Sequence, residues 1–311
     1  MNVLSLFDGI SCGQIALEKN GIKVDKYYAS EIDKYAVKIT KKNYPETIHV
    51  GDIKKIDESF IKEISPIHLL IGGSPCQNLS RAVINRDNYN QGLKGEKSKL
   101  FYEFVRVLDL VEKYNPTFKF MFENVASMKD EDKEIISETL YTKPQLINSA
   151  LFSAQDRKRY YWTNININKK PEKNTQVLRD ILEPADVVTE IENNGRMNFW
   201  YDEKLKIDMN KRVVAKLSIS SYDTINRVYN PNHKSPTLTT AQGGHRQAKV
   251  LQDGRARKLL PIEYERLQNV PDNYTEGVSN TQRYKMLGNG WTVNVISFIF
   301  NNLVLEEEKV A

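Results

Sequence analysis

Cys76 stands in Leu70-Ile71-Gly72-Gly73-Ser74-Pro75-Cys76-Gln77, where an apolar run ends in glycines and hands a thiol to a polar stretch. Thiolate chemistry needs that partial exposure. Pro75 fixes the backbone direction just before the thiol, and Gly72 and Gly73 let other groups approach closely. A lone cysteine is more often a small packing residue. Cys12, the other cysteine of the chain, fits that blander role in a glycine-bearing turn, which leaves the chemistry to Cys76.

Three further segments could complete a site. Phe122-Glu123-Asn124-Val125 places a carboxyl among apolar neighbours, able to hold a proton against a ring nitrogen. In Gln155-Asp156-Arg157-Lys158-Arg159-Tyr160-Tyr161-Trp162, strand alternation puts Arg157 and Arg159 on one face, suited to a base carbonyl and a phosphate. Phe7-Asp8-Gly9-Ile10-Ser11-Cys12-Gly13 follows the first apolar run and opens a helix, a turn that can cradle a polar cofactor. Glu31, at the end of the second apolar run, could accept both ribose hydroxyls of a nucleoside, and Asp52 in Val50-Gly51-Asp52 could reach an adenine amino group. This spacing suits a dinucleotide enzyme and an S-adenosylmethionine enzyme alike. Hydride transfer has no use for the thiol, whereas covalent activation of a pyrimidine ring does.

The elements that must position these groups alternate in type. Val3 to Phe7, Tyr27 to Ser30, Ile67 to Ile71 and Phe118 to Phe122 read as strands, and Ile15 to Lys19, Lys34 to Lys42 and Leu100 to Val111 as helices. The expected fold is α/β: a doubly wound, mostly parallel sheet with a smaller inserted domain. The rhythm fails near Asn164, and Pro261 to Gln268 and Trp291 to Leu303 return to helical spacing. Residues 1–164 plus 256–311 are therefore expected to form the main domain and 165–255 the inserted one.

Composition narrows the class. Two cysteines make no disulfide framework, and no Cys and His run has zinc spacing, so a metal-free site in a reducing compartment is expected. No apolar stretch is long enough to cross a bilayer, and the N-terminus lacks a signal-peptide pattern, which points to a soluble cytoplasmic protein. Net charge is +5, yet residues 211–258 hold ten Lys and Arg against Asp223 and Asp253, a local +8. Amides, hydroxyls and paired glycines interleave with those charges, as in a surface that reads nucleic acid. Asn78 to Lys99, polar and carrying Arg81, Arg86 and Lys94, reads as a loop that closes over such a partner.

Taken in order, these motifs resemble a DNA cytosine-5 methyltransferase over nearly the whole chain: the cofactor turn, Pro75-Cys76-Gln77, Glu123-Asn124-Val125, Gln155-x-Arg157-x-Arg159, Arg257-Lys258-Leu259 with Glu265-Arg266-Leu267, and Gly288-Asn289-Gly290. The detail is similar to stand-alone phage and bacterial enzymes and to the catalytic domains of animal de novo methyltransferases. The resemblance implies that Cys76 attacks carbon 6 of a flipped cytosine, Glu123 engages ring nitrogen 3, Arg159 binds the base carbonyl and Arg157 braces the loop or a phosphate. It implies an S-adenosylmethionine site built from Phe7, Asp8, Gly9, Ser11, Gly13, Glu31, Ile32, Asp52, Ile53, Pro75, Leu100, Asn289 and Trp291. It implies double-stranded DNA as partner, contacted by Ser80, Arg81, Arg227 and Thr237, with 165–255 as the target-recognition domain. A cognate restriction enzyme and a monomeric or weakly dimeric form also fit. Ser11-Cys12 and Gly290-Trp291 depart from the commoner bacterial pattern. An RNA cytosine methyltransferase of the transfer-RNA type is disfavoured because no cysteine follows Cys76, and a binder that has lost turnover because Cys76, Glu123 and Arg159 are all intact.

Overall fold

The computed structural model describes residues 1–80, 91–195, 197–241 and 244–307, which fall into two compact units. The first comprises Met1–Asn148, Lys158–Lys170 and Val295–Ala311, the second Ser149–Arg157 and Pro171–Asn294. The second unit thus takes in residues 256–294, which the sequence reading gave to the main domain, as well as Ser149–Arg157.

The first unit is built on a seven-stranded sheet. Its strands are β1 Asn2–Leu6, β2 Lys26–Ser30, β3 Ile48–His49, β4 Leu69–Gly72, β5 Lys119–Val125, β6 Gln145–Asn148 and β7 Lys158–Thr163, in the order β3-β2-β1-β4-β5-β7-β6. β1 to β5 are mutually parallel, whereas β7 runs antiparallel to β5 and β6 antiparallel to β7. Between the strands lie α1 Cys12–Lys19, α2 Lys34–Asn43, α3 Glu58–Ile64, α4 Leu100–Tyr114 and α5 Asp130–Thr139. Asp33 and Asp57 start α2 and α3 by accepting the otherwise unpaired backbone N–H of Tyr35 and Phe60, both at 2.9 Å. The order reverses at the β1/β4 boundary, the place where an open α/β sheet leaves a crevice beyond its strand ends.

Register decides what meets in that crevice. Gly72 ends β4 opposite Leu6 of β1 on one side and Phe122 of β5 on the other. The segments that follow these three residues, Phe7-Asp8-Gly9, Gly73 to Cys76 and Glu123, therefore leave the sheet at one level. Gly72 cannot be larger: a Cβ there would stand 2.9 Å from the Phe104 ring and 3.0 Å from the Leu6 carbonyl oxygen. Phe104 in turn packs its ring 4.7 Å from that of Phe122, which lies 5.8 Å from Trp162. Aromatic burial on this scale locks β4, β5, β7 and α4 together.

The second unit carries a five-stranded sheet of β8 Trp200–Tyr201, β9 Val213–Lys216, β10 Arg227–Tyr229, β11 Lys249–Gln252 and β12 Arg255–Lys258, ordered β8-β12-β11-β10-β9. Val214, Leu217, Val228, Leu251 and Ala256 form its small core. Its helices include α6 Ala185–Asn194, the short α7 Asp223–Asn226, α8 Pro261–Leu267 and α9 Asn280–Asn289. The last helix, α10 Val293–Glu307, supplies its residues from Val295 onward to the first unit, where Asn20 donates to the Ser297 carbonyl at 2.9 Å. That agrees with the expected return of the C-terminal helix.

A charge pair with no solvent exposure holds β12 to α8. Arg257 donates both terminal nitrogens to Glu263, at 2.8 and 2.6 Å, and Glu263 also accepts the backbone N–H of Leu260 at 2.7 Å and of Glu183 at 2.8 Å. Four donors converge on one carboxylate. Glu263→Gln keeps the shape, but it turns an amide N–H toward those donors and strands the Arg257 charge. It should cost about 3–5 kcal/mol in urea unfolding monitored by a probe in the second unit; an unchanged midpoint would show that the pair is dispensable.

Candidate active site

The turn after β1 is held from several directions. Gly9 donates its backbone N–H to Glu31 at 2.8 Å, and the other Glu31 oxygen accepts from the N–H of Ile32 at 2.8 Å and of Asp33 at 2.7 Å. Three backbone donors thus orient one carboxylate at the end of β2, beside the glycine turn. Asp8 accepts hydrogen bonds from Ser11 and, at 2.8 Å, from Tyr27. Burial pushes the Asp8 carboxyl up to about 6, against those hydrogen bonds. Tyr27 was not singled out from the sequence; its place in a buried strand gave no chemical signal.

The remaining expected cofactor residues of this unit have varied settings. Phe7 is half-buried, Gly13 is buried near the start of α1, and Ile32 is 77% exposed. Asp52 is not a strand end, because β3 stops at His49; it caps a single 3-10 turn, Ile53–Lys55, by accepting the Lys54 N–H at 3.1 Å. Ile53 is buried beneath that turn, Pro75 is half-buried, and Leu100 opens α4.

Cys76 is half-buried at the head of a tight turn, its carbonyl accepting the N–H groups of Leu79 and Ser80, each at 2.9 Å. Cys12 is buried, as expected of a packing residue. The buried Asn124 side chain donates to the carbonyl and hydroxyl oxygens of Ser74, at 3.2 and 3.3 Å, and so ties the end of β5 to the loop that carries the thiol. Sequence reading missed this bond, although Asn124 stands directly after Glu123. Glu123 and Arg159 form an ion pair at 2.9 Å with little exposure of either side chain. Strand geometry explains the meeting: Arg159 lies opposite Val125, so it shares a face with Glu123 and reaches it diagonally.

Arg157 does not sit on β7 with Arg159, because the strand begins at Lys158. Its guanidinium is buried in the second unit, donating to the carbonyls of Leu238 at 3.3 Å, Gly288 at 3.2 Å and Gly290 at 3.0 Å. Gln268 adds bonds to the carbonyls of Leu287 at 2.7 Å and Gly290 at 3.0 Å, and Gln155 joins it at 3.1 Å. The turn displaying the exposed Asn289 and half-buried Trp291 is thus built from buried polar side chains. Gly288 is obligatory within it, since a Cβ would stand 2.3 Å from the Thr239 carbonyl oxygen.

Of the expected DNA contacts, Thr237 is exposed with its hydroxyl donated to the Asp156 carbonyl at 2.7 Å. Arg227 is paired with Asp223 at 2.6 Å, and Ser80 ends the turn after Cys76. Arg81 and Arg86, with the stretch 81–90 of the expected closing loop, lie outside the described residues.

Comparison with known proteins adds to this geometry. A family model described as C-5 cytosine-specific DNA methylase matches residues 1–305. The orphan methyltransferase M.SPBetaI of Bacillus phage SPbeta is 27% identical, with 98% of this chain and 97% of that protein covered. The type II methyltransferase M1.ScrFI of Lactococcus lactis subsp. cremoris is 28% identical, covering 99% and 79%. Among solved structures, S. pombe Dnmt2 methyltransferase is similar in fold, with a TM-score of 0.66 at 18% identity over 99% of this chain and 98% of that one. A putative DNA modification methyltransferase encoded within an E. coli prophage gives 0.67 at 19% identity over 98% and 99%.

The Asp8 carboxyl makes the turn after β1 sensitive to pH. Its folded value, about 6, lies above the ordinary 3.8, so the folded chain binds this proton more tightly than the unfolded chain. The contribution to stability is complete below the ordinary value and is lost as pH rises through about 6. Asp8→Asn cannot titrate. Between pH 5 and pH 7.5, wild type should therefore lose on the order of 1–2 kcal/mol relative to Asp8→Asn in urea unfolding; a constant gap would rule out the assignment.

Proposed function

The chain belongs to the C-5 cytosine-specific DNA methylase family and is a DNA cytosine-5 methyltransferase, and from that premise we propose that Cys76 is the nucleophile and Glu123 the proton-holding partner of the target base. A cytosine inside a duplex hides its ring face in the stack, so the base must be turned out before a thiolate can reach carbon 6. Addition of the Cys76 sulfur there pushes an electron pair toward carbon 5 while Glu123 holds a proton at ring nitrogen 3. Carbon 5 becomes the nucleophile. Once it carries the methyl group, a base, water in this reading, removes its proton, and the Cys76 thiolate leaves to restore the ring.

S-adenosylmethionine, when bound, supplies the methyl group as an electrophile. The residues after β1 and β2 fit a nucleoside of that kind. Glu31 presents a carboxylate aimed by three backbone N–H groups, and a carboxylate so oriented can still accept two neighbouring hydroxyls. Asp52 stands at the cap of the next turn, with an acceptor suited to an amino group.

The observation that carries the reading is the Glu123–Arg159 pair at 2.9 Å, with Asn124 joining the next residue of the same strand to the Cys76 loop. Arg159 steadies the carboxyl through Nε, donates Nη1 to the Lys158 carbonyl at 2.8 Å and, in this reading, offers Nη2 to the base carbonyl. Arg157, engaged by three carbonyls, acts as a brace for the Asn289 turn. The second unit, holding the +8 segment, is assigned to reading double-stranded DNA. Thr237 and Arg227 contribute phosphate contacts, and binding weakens with salt as counterions are released.

Base-resolution methylation sequencing of DNA from expressing cells tests this directly. Wild type should leave carbon-5 methylcytosine in one short motif, and Cys76→Ser none, with cofactor and DNA binding retained; methylation by the variant would exclude Cys76 as nucleophile. Glu123→Gln should lower turnover by roughly 10²–10⁴-fold without unfolding the chain. A duplex carrying 5-fluorocytosine at the target cannot lose a proton from carbon 5, so wild type, but not Cys76→Ser, should stay bound to it through denaturing electrophoresis.

A further inference from the structure

Resting on the assignment of the second unit to DNA reading, we propose that Arg246 reads a guanine of the methylation target through the major groove and that Lys249 is the positioning residue that fixes it there. Arg246 is exposed and makes no hydrogen bond or ion pair with any described residue. Every other described arginine of the unit is engaged, as in the Arg212–Asp156, Arg227–Asp223 and Arg255–Asp202 pairs and the carbonyl-bound Arg157. One guanidinium is thus left to meet a partner that the unit does not contain.

Its backbone is unusually well held. Lys249 on β11 is 1% exposed and donates its ammonium to the carbonyls of Ile225 at 2.7 Å, Gln247 at 3.0 Å, and His245. All three N–H bonds of the ammonium are used, and two of the acceptors flank Arg246. The side chain of His245 is fixed as well, its Nδ1 lying 2.8 Å from the Tyr201 hydroxyl. A buried ammonium here is costly: burial and the neighbouring Lys258, directly opposite on β12, push Lys249 down to about 7. An apolar residue would fill the position without that cost but could not hold the three carbonyls, so the bonds from Nζ are what the residue adds to the segment.

Rigid support distinguishes a base reader from a phosphate clamp. A phosphate accepts a point charge from many directions, whereas the O6 and N7 of guanine demand the planar two-pronged fork of an arginine in one orientation. Preorganisation of the backbone from which that fork extends is what the Lys249 and Tyr201 contacts provide.

The test is methylation of a plasmid library with randomised bases around the wild-type motif, read at base resolution. Arg246→Ala and Arg246→Lys should both lose roughly 10- to 100-fold of the preference for guanine at one position and keep the others. Lys249→Met and Tyr201→Phe should relax that same position, adding little on top of Arg246→Ala. Restoration of selectivity by Arg246→Lys, or a uniform loss across all positions with a shallower salt dependence, would make Arg246 a phosphate contact and overturn its role as reader. A wild-type motif lacking a required guanine would overturn it too. Loosening of other positions, or of none, by both Lys249→Met and Tyr201→Phe would remove the positioning role. If wild type marks no cytosine at all, the reading of the chain as a DNA methyltransferase falls, and this inference with it.

Discussion

Parallel pairing forces the strands of the first unit to finish side by side, and the candidate site follows from that constraint. Leu6, Gly72 and Phe122 stand abreast in the register of β1, β4 and β5. Three loops far apart in the chain therefore begin at one level: the cofactor turn, the thiol loop and the end carrying Glu123. A one-residue slip of β4 would swap the side chains of its two buried faces and move Gly72 from beside the Phe104 ring, so core packing enforces the alignment of the strand ends. Phe104 makes the constraint tighter, because its ring fills the space where a side chain at position 72 would be. Packing and the placement of the candidate site are thus set by the same residues.

Beyond the strand ends, alignment alone is too coarse for chemistry, and hydrogen bonds supply the finer placement. Asn124 draws the Ser74 segment to β5, Arg159 fixes Glu123, and three N–H groups fix Glu31. The second unit relies on the same device at greater depth. Arg157 and Gln268 take up carbonyls at the C-terminal end of α9 and just beyond it, at Leu287, Gly288 and Gly290, and Gln155 in turn donates to Gln268. Such a network is stable only when its members are all partnered, so removal of any one of them leaves buried carbonyls or donors exposed to an apolar surround. The expectation that Arg157 braces a loop is compatible with its bonds to three carbonyls.

Legibility in the sequence tracked how local the causes were. β1, β2, β4 and β5 showed as apolar runs because they are buried almost throughout, and α1, α2 and α4 as apolar positions three and four apart because each buries part of its surface. The expectation that the strand before Cys76 lies beside the one carrying Glu123 agrees with the pairing of β4 and β5. α9 was not, since Asn280 to Asn289 is mostly polar and owes its helix to a few buried contacts such as that of the Tyr264 and Tyr284 rings, 4.7 Å apart. The strand start at Lys158, which separates Arg157 from Arg159, also escaped, because alternation reports faces only where a strand exists. The bonds of Asn124, Tyr27 and Gln268 join residues distant in sequence, and no periodicity carries such pairs.

Charge was the property that sequence reading overstated. The +8 of residues 211–258 suggested a broadly basic face. In the folded chain much of that excess is spent inside the unit: Arg257 on Glu263, Arg255 on Asp202, Arg212 on Asp156, and Lys249 and Lys258 on backbone carbonyls. A buried or paired cation contributes little to a screened surface potential. Fewer positive groups than the count implies are therefore available to phosphates. A basic segment with few free cations draws more of its discrimination from directed hydrogen bonds than from diffuse attraction, and directed bonds require a rigid frame. The internal use of arginine and lysine, which lowers the electrostatic reach of the unit, is also what supplies that frame.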